Sequence, residues 1–168
     1  MTIVHYAAFA FFPLVMAYAA VSDLLSLTIS NKVSLIGVAG FIVAAPLLGM
    51  DIATIGMHLA AGLLVLVGGF ALFAFRWIGG GDAKIAATAA LWLGYDQTLA
   101  FLVQSALFGG ALTIAILYAR RMQLPAIAVR SWVLRLHDPA SGVPYGIALA
   151  AGALVIYPKT IWIGLMLT

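Results

Sequence analysis

The sequence predicts an all-α membrane protein, a bundle of about six transmembrane helices, on three observations. Of its 168 residues 65% are hydrophobic and 8% charged, with a mean hydropathy of +1.18. A water-soluble fold does not have that composition. Apolar runs recur at 3–21, 33–49, 52–75, 83–94, 98–118 and 143–167, and the charged residues gather between them. At roughly 20 residues per span plus short connections, the length leaves no room for a separate soluble domain. Residues 1–168 are therefore read as a single membrane domain.

The first run contains Ala17-Tyr18-Ala19, small residues of the kind found at signal-peptide cleavage sites, but neither Lys nor Arg precedes it. It is accordingly read as the first span and not as a removable leader. The fourth run, 83–94, is short for a bilayer. It spans fully only if its helix begins inside Gly79-Gly80-Gly81, a glycine-rich turn, or if the segment is partly re-entrant. Pro13, Pro46 and Pro158 fall within or near helices, where neighbouring helices satisfy the freed carbonyls.

Orientation follows from the loops. Lys32 lies between runs one and two, Arg76 and Lys84 flank the glycine run, and Arg120, Arg121, Arg130 and Arg135 lie between runs five and six. With six spans these three loops share one side, leaving Lys159 with Asp51 and Asp96 on the other. Seven of the eight basic residues on one side predict cytoplasmic basic loops and outward termini in a multi-pass membrane protein. The net charge of +3 is thereby explained by topology, and no nucleic-acid partner is expected. Residues 127–136 place Trp132, Val133 and Leu136 beside Arg130 and Arg135. That pattern fits an interfacial helix on the cytoplasmic leaflet, in contact with membrane lipid, or a basic tether that only fixes topology.

With no cysteine there is no disulfide framework, no thiolate nucleophile and no cysteine metal site, and three scattered histidines make a poor one. No metal or other cofactor is expected. Glu is absent, so the acids are Asp23, Asp51, Asp82, Asp96 and Asp138. Asp51 and Asp96 sit in short outer loops and Asp138 precedes Pro139, all ordinary settings for a turn residue. Asp23 follows the first run and Asp82 ends the glycine run, so both belong to the cytoplasmic boundary. Two carboxylates brought together there can share one proton. The ionised one draws a proton from water while its protonated partner polarises a carbonyl, as in an aspartic protease. Glycines 79 to 81 allow close backbone approach and unusual dihedrals just before Asp82. Without an aspartate the same glycines would suit a phosphate, and Asp82 as a plain helix cap is the structural alternative.

Gly79-Gly80-Gly81-Asp82-Ala83-Lys84 resembles the GxGD signature of the type IV prepilin peptidases. Asp23 followed by Ile29-Ser30-Asn31 is similar to that family's first-aspartate segment, and Val143-Pro144-Tyr145-Gly146 to its closing Pro-Phe-Gly helix. The three matches occur in family order over nearly the whole chain. The resemblance implies a peptidase with Asp23 and Asp82 catalytic. It would cleave a short basic leader from prepilin or pseudopilin precursors at the cytoplasmic membrane surface without a metal. Ser30 stands where the family has Pro, which is expected to loosen the turn after Asp23. Larger members carry a cysteine metal site and methylate the new N-terminus. This chain has no cysteine and resembles the short peptidases of Tad/Flp pilus systems, so methylation is not expected.

Among supporting residues, Lys84 is a topology marker, a neighbour of the site or a ligand for lipid phosphate. Asn31 is read as capping the second span in preference to bonding near the site. Pro144 and Tyr145 shape the start of the sixth span, Gly146 is a supporting residue of the same motif, and His58 serves packing or the membrane interface. The competing function is a small proton- or cation-coupled transporter using the same two aspartates. Carriers hold such acids near mid-membrane, whereas these lie at the boundary.

Overall fold

A computed structural model describes residues 3–122 and 130–167. Its order is α1 (Ile3–Ser26), α2 (Asn31–Leu47), α3 (Ile52–Ala74), α4 (Gly80–Leu93), α5 (Tyr95–Ala119), α6 (Ser131–His137), α7 (Tyr145–Ile156), a 3-10 turn (Tyr157–Lys159) and α8 (Ile161–Leu167). No strand occurs among the described residues. Three helices are long and apolar enough to cross a membrane, over Tyr6–Ser26, Ile52–Ala74 and Tyr95–Ala119.

The centre of the molecule is α4, which packs against α1, α2, α3, α5 and α7. It begins at Gly80, inside the glycine run as expected, and every residue from Ile85 to Leu93 is buried. Five alanines among its 14 residues let neighbours approach its backbone closely. The closest partner is α3. A Cβ on Gly62 would stand 3.0 Å from Leu91 Cβ, and one on Gly69 would stand 3.1 Å from Ala83 Cβ. Gly62, Val65 and Gly69 thus form the seam of α3 against α4. At 14 residues α4 rises only about 21 Å. Its shortness is tolerated because protein surrounds it on most sides.

On α1 the buried stripe is Phe12, Val15, Met16, Ala19 and Asp23, the spacing of one helical face. The helix outlasts the expected run, which ended at residue 21, because the chain to Ser26 keeps helical bonding and Ser26 returns its hydroxyl to the Ser22 carbonyl at 2.7 Å. Asp23 therefore lies inside α1, near its last turn, and not after it. The helix stops at Leu27, in the left-handed region at φ 53°, whose amide donates to the Asp23 carbonyl. α3 ends the same way at Arg76, φ 61°. Trp77 N–H then reaches back to Leu72 O at 3.0 Å and Arg76 N–H to Phe73 O at 2.9 Å, the pairing of a Schellman cap.

The expected sixth span, 143–167, is not one helix. It breaks at the Tyr157–Lys159 turn because Pro158 has no amide to donate, and Thr160 hydroxyl closes the turn on Tyr157 O at 2.7 Å. Of the proposed interfacial stretch 127–136, residues 127–129 lie outside the described residues. The remainder forms α6, which leans on α1 and α5 and carries no buried residue.

Lys32, Arg76, Lys84, Arg120, Arg121 and Arg135 all stand at the end where α1 stops and α4 starts. Lys159 stands at the opposite end, among the turn residues between α7 and α8.

Candidate active site

Asp23 and Asp82, separated in the chain by α2 and α3, come to the basic end of the bundle. Asp23 is 5% exposed. Gly146 N–H, one residue into α7, donates to its Oδ2 at 2.7 Å. Only glycine allows that approach, since a Cβ at position 146 would stand 2.8 Å from the same oxygen and 2.9 Å from Ile29 Cδ1.

Asp82 is the third residue of α4, and its carboxylate lies against Gly79, the residue that caps the helix. An acid at the third position of a helix sits where it complements the helix N-terminus. Asp82 is therefore not the cap itself, but it is pinned by the helix start. A Cβ on Gly79 would stand 2.8 Å from Asp82 Oδ2. The two carboxylates share Ile29 as a neighbour, through Gly146 on the Asp23 side and Gly81 on the Asp82 side. Between them Ile29 is buried. Its Cβ lies 3.3 Å from where a Cβ on Gly81 would be, and its Cδ1 faces Gly146.

The glycines before Asp82 act by lacking side chains, not through unusual dihedrals. Gly79 is extended at φ −71°, ψ 145°, and the positive-φ glycines are Gly49 and Gly94, elsewhere in the chain. Gly80 gives room to the Phe73 ring, Gly81 to Ile29 and Gly79 to the carboxylate.

Other candidates sort as follows. Asn31 does not cap α2. Ser30 does, accepting Lys32 N–H at 3.3 Å, and Asn31 Oδ1 instead accepts Lys84 Nζ at 2.7 Å. Nor is the turn loosened at Ser30. Its φ of −63° is the value a proline would impose, and its hydroxyl adds the cap. Pro144 is fully buried and precedes the first residue of α7, Tyr145. The Tyr145 ring fits over Gly109, where a Cβ would stand 2.6 Å from it, and its hydroxyl pairs with Thr113 at 3.2 Å. With Asp82, Tyr145 lines an apolar cavity of about 540 Å³ between α3, α4, α5 and α7. His58 is buried at the far end and bonds Leu91 O through Nδ1 at 2.7 Å, a packing role as expected. Among the described residues no three His, Asp, Glu or Cys side chains gather as a metal site would need.

Sequence reasoning counted Arg120 only toward topology. Its guanidinium also clamps the chain that leads into α7. Nε donates to Leu136 O at 2.8 Å, and Nη2 donates to Ser141 O at 2.8 Å and Gly142 O at 3.2 Å. Arg135 reaches the Leu25 carbonyl, tying α6 to the end of α1. A backbone carbonyl partner leaves no mark in sequence.

Fold and site together define a helical membrane protein with two carboxylates converging at one end of its bundle. The chain belongs to the type IV leader peptidase family, whose model matches residues 10–114. That match covers both aspartates and stops before Gly146. No curated protein and no solved structure matches the chain. The family makes it a leader peptidase-like protein, and with its long apolar helices a membrane one.

Proposed function

We propose that the chain is an aspartic endopeptidase of six spans, forming one domain over residues 1–168. It removes the short basic leader from prepilin-like, Flp-type precursors at the cytoplasmic face of a bacterial inner membrane. Asp23 and Asp82 are the catalytic pair. The observation that carries this reading is their convergence, with Asp23 held by the Gly146 amide and Asp82 set against Gly79 at the start of α4. Two such carboxylates with little water around them hold one proton between them. The ionised member takes a proton from an attacking water as the protonated member donates to the scissile carbonyl oxygen. Water oxygen is then bonded to the carbonyl carbon. On collapse the C–N bond breaks as the newly protonated carboxyl gives its proton to the leaving amine and the other carboxylate takes back the proton of the carbonyl-derived hydroxyl, which returns the pair to its starting state.

The six spans are α1, α2, α3, α4, α5 and the broken pair α7 and α8. Gathering of basic residues at the aspartate end supports a cytoplasmic site with outward termini, by the positive-inside rule. The location of both acids at one end, not at mid-bundle, favours peptide hydrolysis over ion transport.

The test is co-expression with a candidate prepilin, with leader removal followed as a mobility shift on gels. Asp23→Asn and Asp82→Asn should each abolish the shift while inserting normally, and Asp51→Asn and Asp96→Asn should process the precursor. Normal processing by either of the first two variants ends the proposal.

A further inference from the structure

The end of the bundle away from the aspartates holds a cavity of about 350 Å³, where α3 and α5 begin and the chain turns from α7 to α8. Its lining includes His58, Asp96, Gln97 and Lys159. His58 is 4% exposed, and one of its ring nitrogens is spent on Leu91 O. That oxygen can only accept, so Nδ1 carries the hydrogen and Nε2 of the neutral imidazole is left as an acceptor. Among the described residues no hydrogen bond reaches Nε2. A buried acceptor of this kind calls for a donor. Gly94 leaves the nitrogen uncovered. Its φ of 81° already requires glycine, and a Cβ there would stand 2.7 Å from Nε2. Asp96, in the first turn of α5, and Lys159, in the turn after α7, line the same cavity without pairing with each other. The hydroxyls on its wall are engaged, Thr160 with Tyr157 O and Thr54 with Asp51. One small space therefore presents a carboxylate, an open acceptor and a cation.

We infer that this cavity binds the headgroup of an aminophospholipid, with the ammonium of a phosphoethanolamine between Asp96 and His58 Nε2 and its phosphate on Lys159. A primary ammonium supplies N–H donors to both the carboxylate and Nε2, which a quaternary amine cannot do. A purely anionic headgroup would meet Lys159 but also the charge of Asp96, so it fits less well. The cavity lies where two membrane-crossing helices begin. Exposed Ile52, Met57 and Leu99 on those helices offer a surface for the lipid chains, and exposed Tyr95 is a residue suited to the membrane boundary. The inference does not depend on the catalytic reading of Asp23 and Asp82.

The test is native mass spectrometry of the purified full chain in detergent, titrated with phosphatidylethanolamine, phosphatidylcholine or phosphatidylglycerol carrying the same acyl chains. The wild type should bind phosphatidylethanolamine roughly 10-fold or more tighter than either of the others, the worth of one charge-assisted hydrogen bond. Asp96→Ala, at an exposed position, should bring phosphatidylethanolamine down to the level of phosphatidylcholine. Lys159→Gln should weaken all three lipids together, because each carries a phosphate, and should leave the order of preference unchanged. Lys32→Gln, a charge removed at the aspartate end, should bind as wild type does. Soluble glycerophosphoethanolamine at the concentration of the lipid should not displace it, since it lacks the chains. Equal binding of the three lipids by the wild type overturns the inference. So does a preference that survives Asp96→Ala, which would place the headgroup elsewhere, and so does displacement by the soluble compound, which would make the ligand a water-soluble one.

Discussion

At the end of the bundle away from the aspartates, large rings fill the space between helices. Trp92 and Trp162 lie 4.8 Å apart by ring centroids, Phe12 and Phe41 pack on Trp92, and His58 stacks on Phe41 at 5.4 Å. Their polar atoms are spent on backbone. Trp92 Nε1 donates to Gly37 O at 2.8 Å, Trp162 Nε1 to Trp92 O at 2.5 Å, and His58 engages Leu91 O. The aspartate end replaces rings with glycines and buries a carboxylate among them. Its two helix ends turn through left-handed Leu27 and Arg76, a conformation that costs about 1 kcal/mol for a non-glycine residue. One end is built to hold the helices together. The other accepts a local cost where two acids are brought to one end of the bundle, the usual division where function needs groups that packing would avoid.

Breaking the aspartate end should therefore cost activity far more than stability. In Gly146→Val the new side chain collides with Asp23 Oδ2 and Ile29. Its kcat/KM on a leader peptide should fall by about 10²-fold or more, since displacement of a reacting group by an ångström has that effect. A Tm close to wild type should accompany it, and an unchanged kcat/KM would show that the Gly146 contact is incidental.

Breaking the aromatic end should do the reverse. Trp92→Ala should lower stability by about 3–5 kcal/mol, read by denaturation in detergent, while the folded fraction keeps its turnover. A well-folded Trp92→Ala protein with no activity would mean that the two ends are not separable.

The smallest effect sharpens the contrast at an exposed cap. Asp51 accepts the Thr54 hydroxyl at 2.5 Å and the amides of Ala53 and Thr54 at 3.0 Å. The Thr54 hydroxyl first, then the amides, hold its carboxyl below the ordinary carboxylate range. A depressed folded-state value means that the cap contributes fully above the unfolded carboxylate pKa of about 3.9 and is lost as pH falls through the lower folded value. Asp51→Ala should lower Tm slightly at neutral pH, and the gap to wild type should close in acid. A gap that persists at low pH would remove the charge from the explanation.

Much of this was legible in the sequence. Apolar runs marked the helices to within a few residues, the glycine run marked the start of α4, and five acids in a chain without Glu left few candidates for a pair. What was not legible shares a physical cause. Asn31 was expected to cap because Asn caps well, but Ser30 one residue earlier does so, and the freed Asn31 side chain meets Lys84 from 53 residues on. The Gly146 amide, the Arg120 clamp and the bridging position of Ile29 all depend on how helices meet, and no local pattern reports a long-range contact with backbone. Pro158 was visible, yet a proline inside a membrane helix can kink it or break it. Here the chain breaks, and the sixth expected helix becomes α7 and α8.

The central claim is that Asp23 and Asp82 act as one unit, and a double-mutant cycle tests it most directly. The kcat/KM for leader cleavage would be measured for Asp23→Asn, Asp82→Asn and the double variant, with intact folding checked by Tm. Members of one catalytic unit lose nearly everything when either is removed, so each single variant should fall by about 10³-fold or more and the double variant no further than the slower single. Losses that multiply, or a single variant that still cleaves at close to the wild-type rate, would contradict a shared catalytic pair.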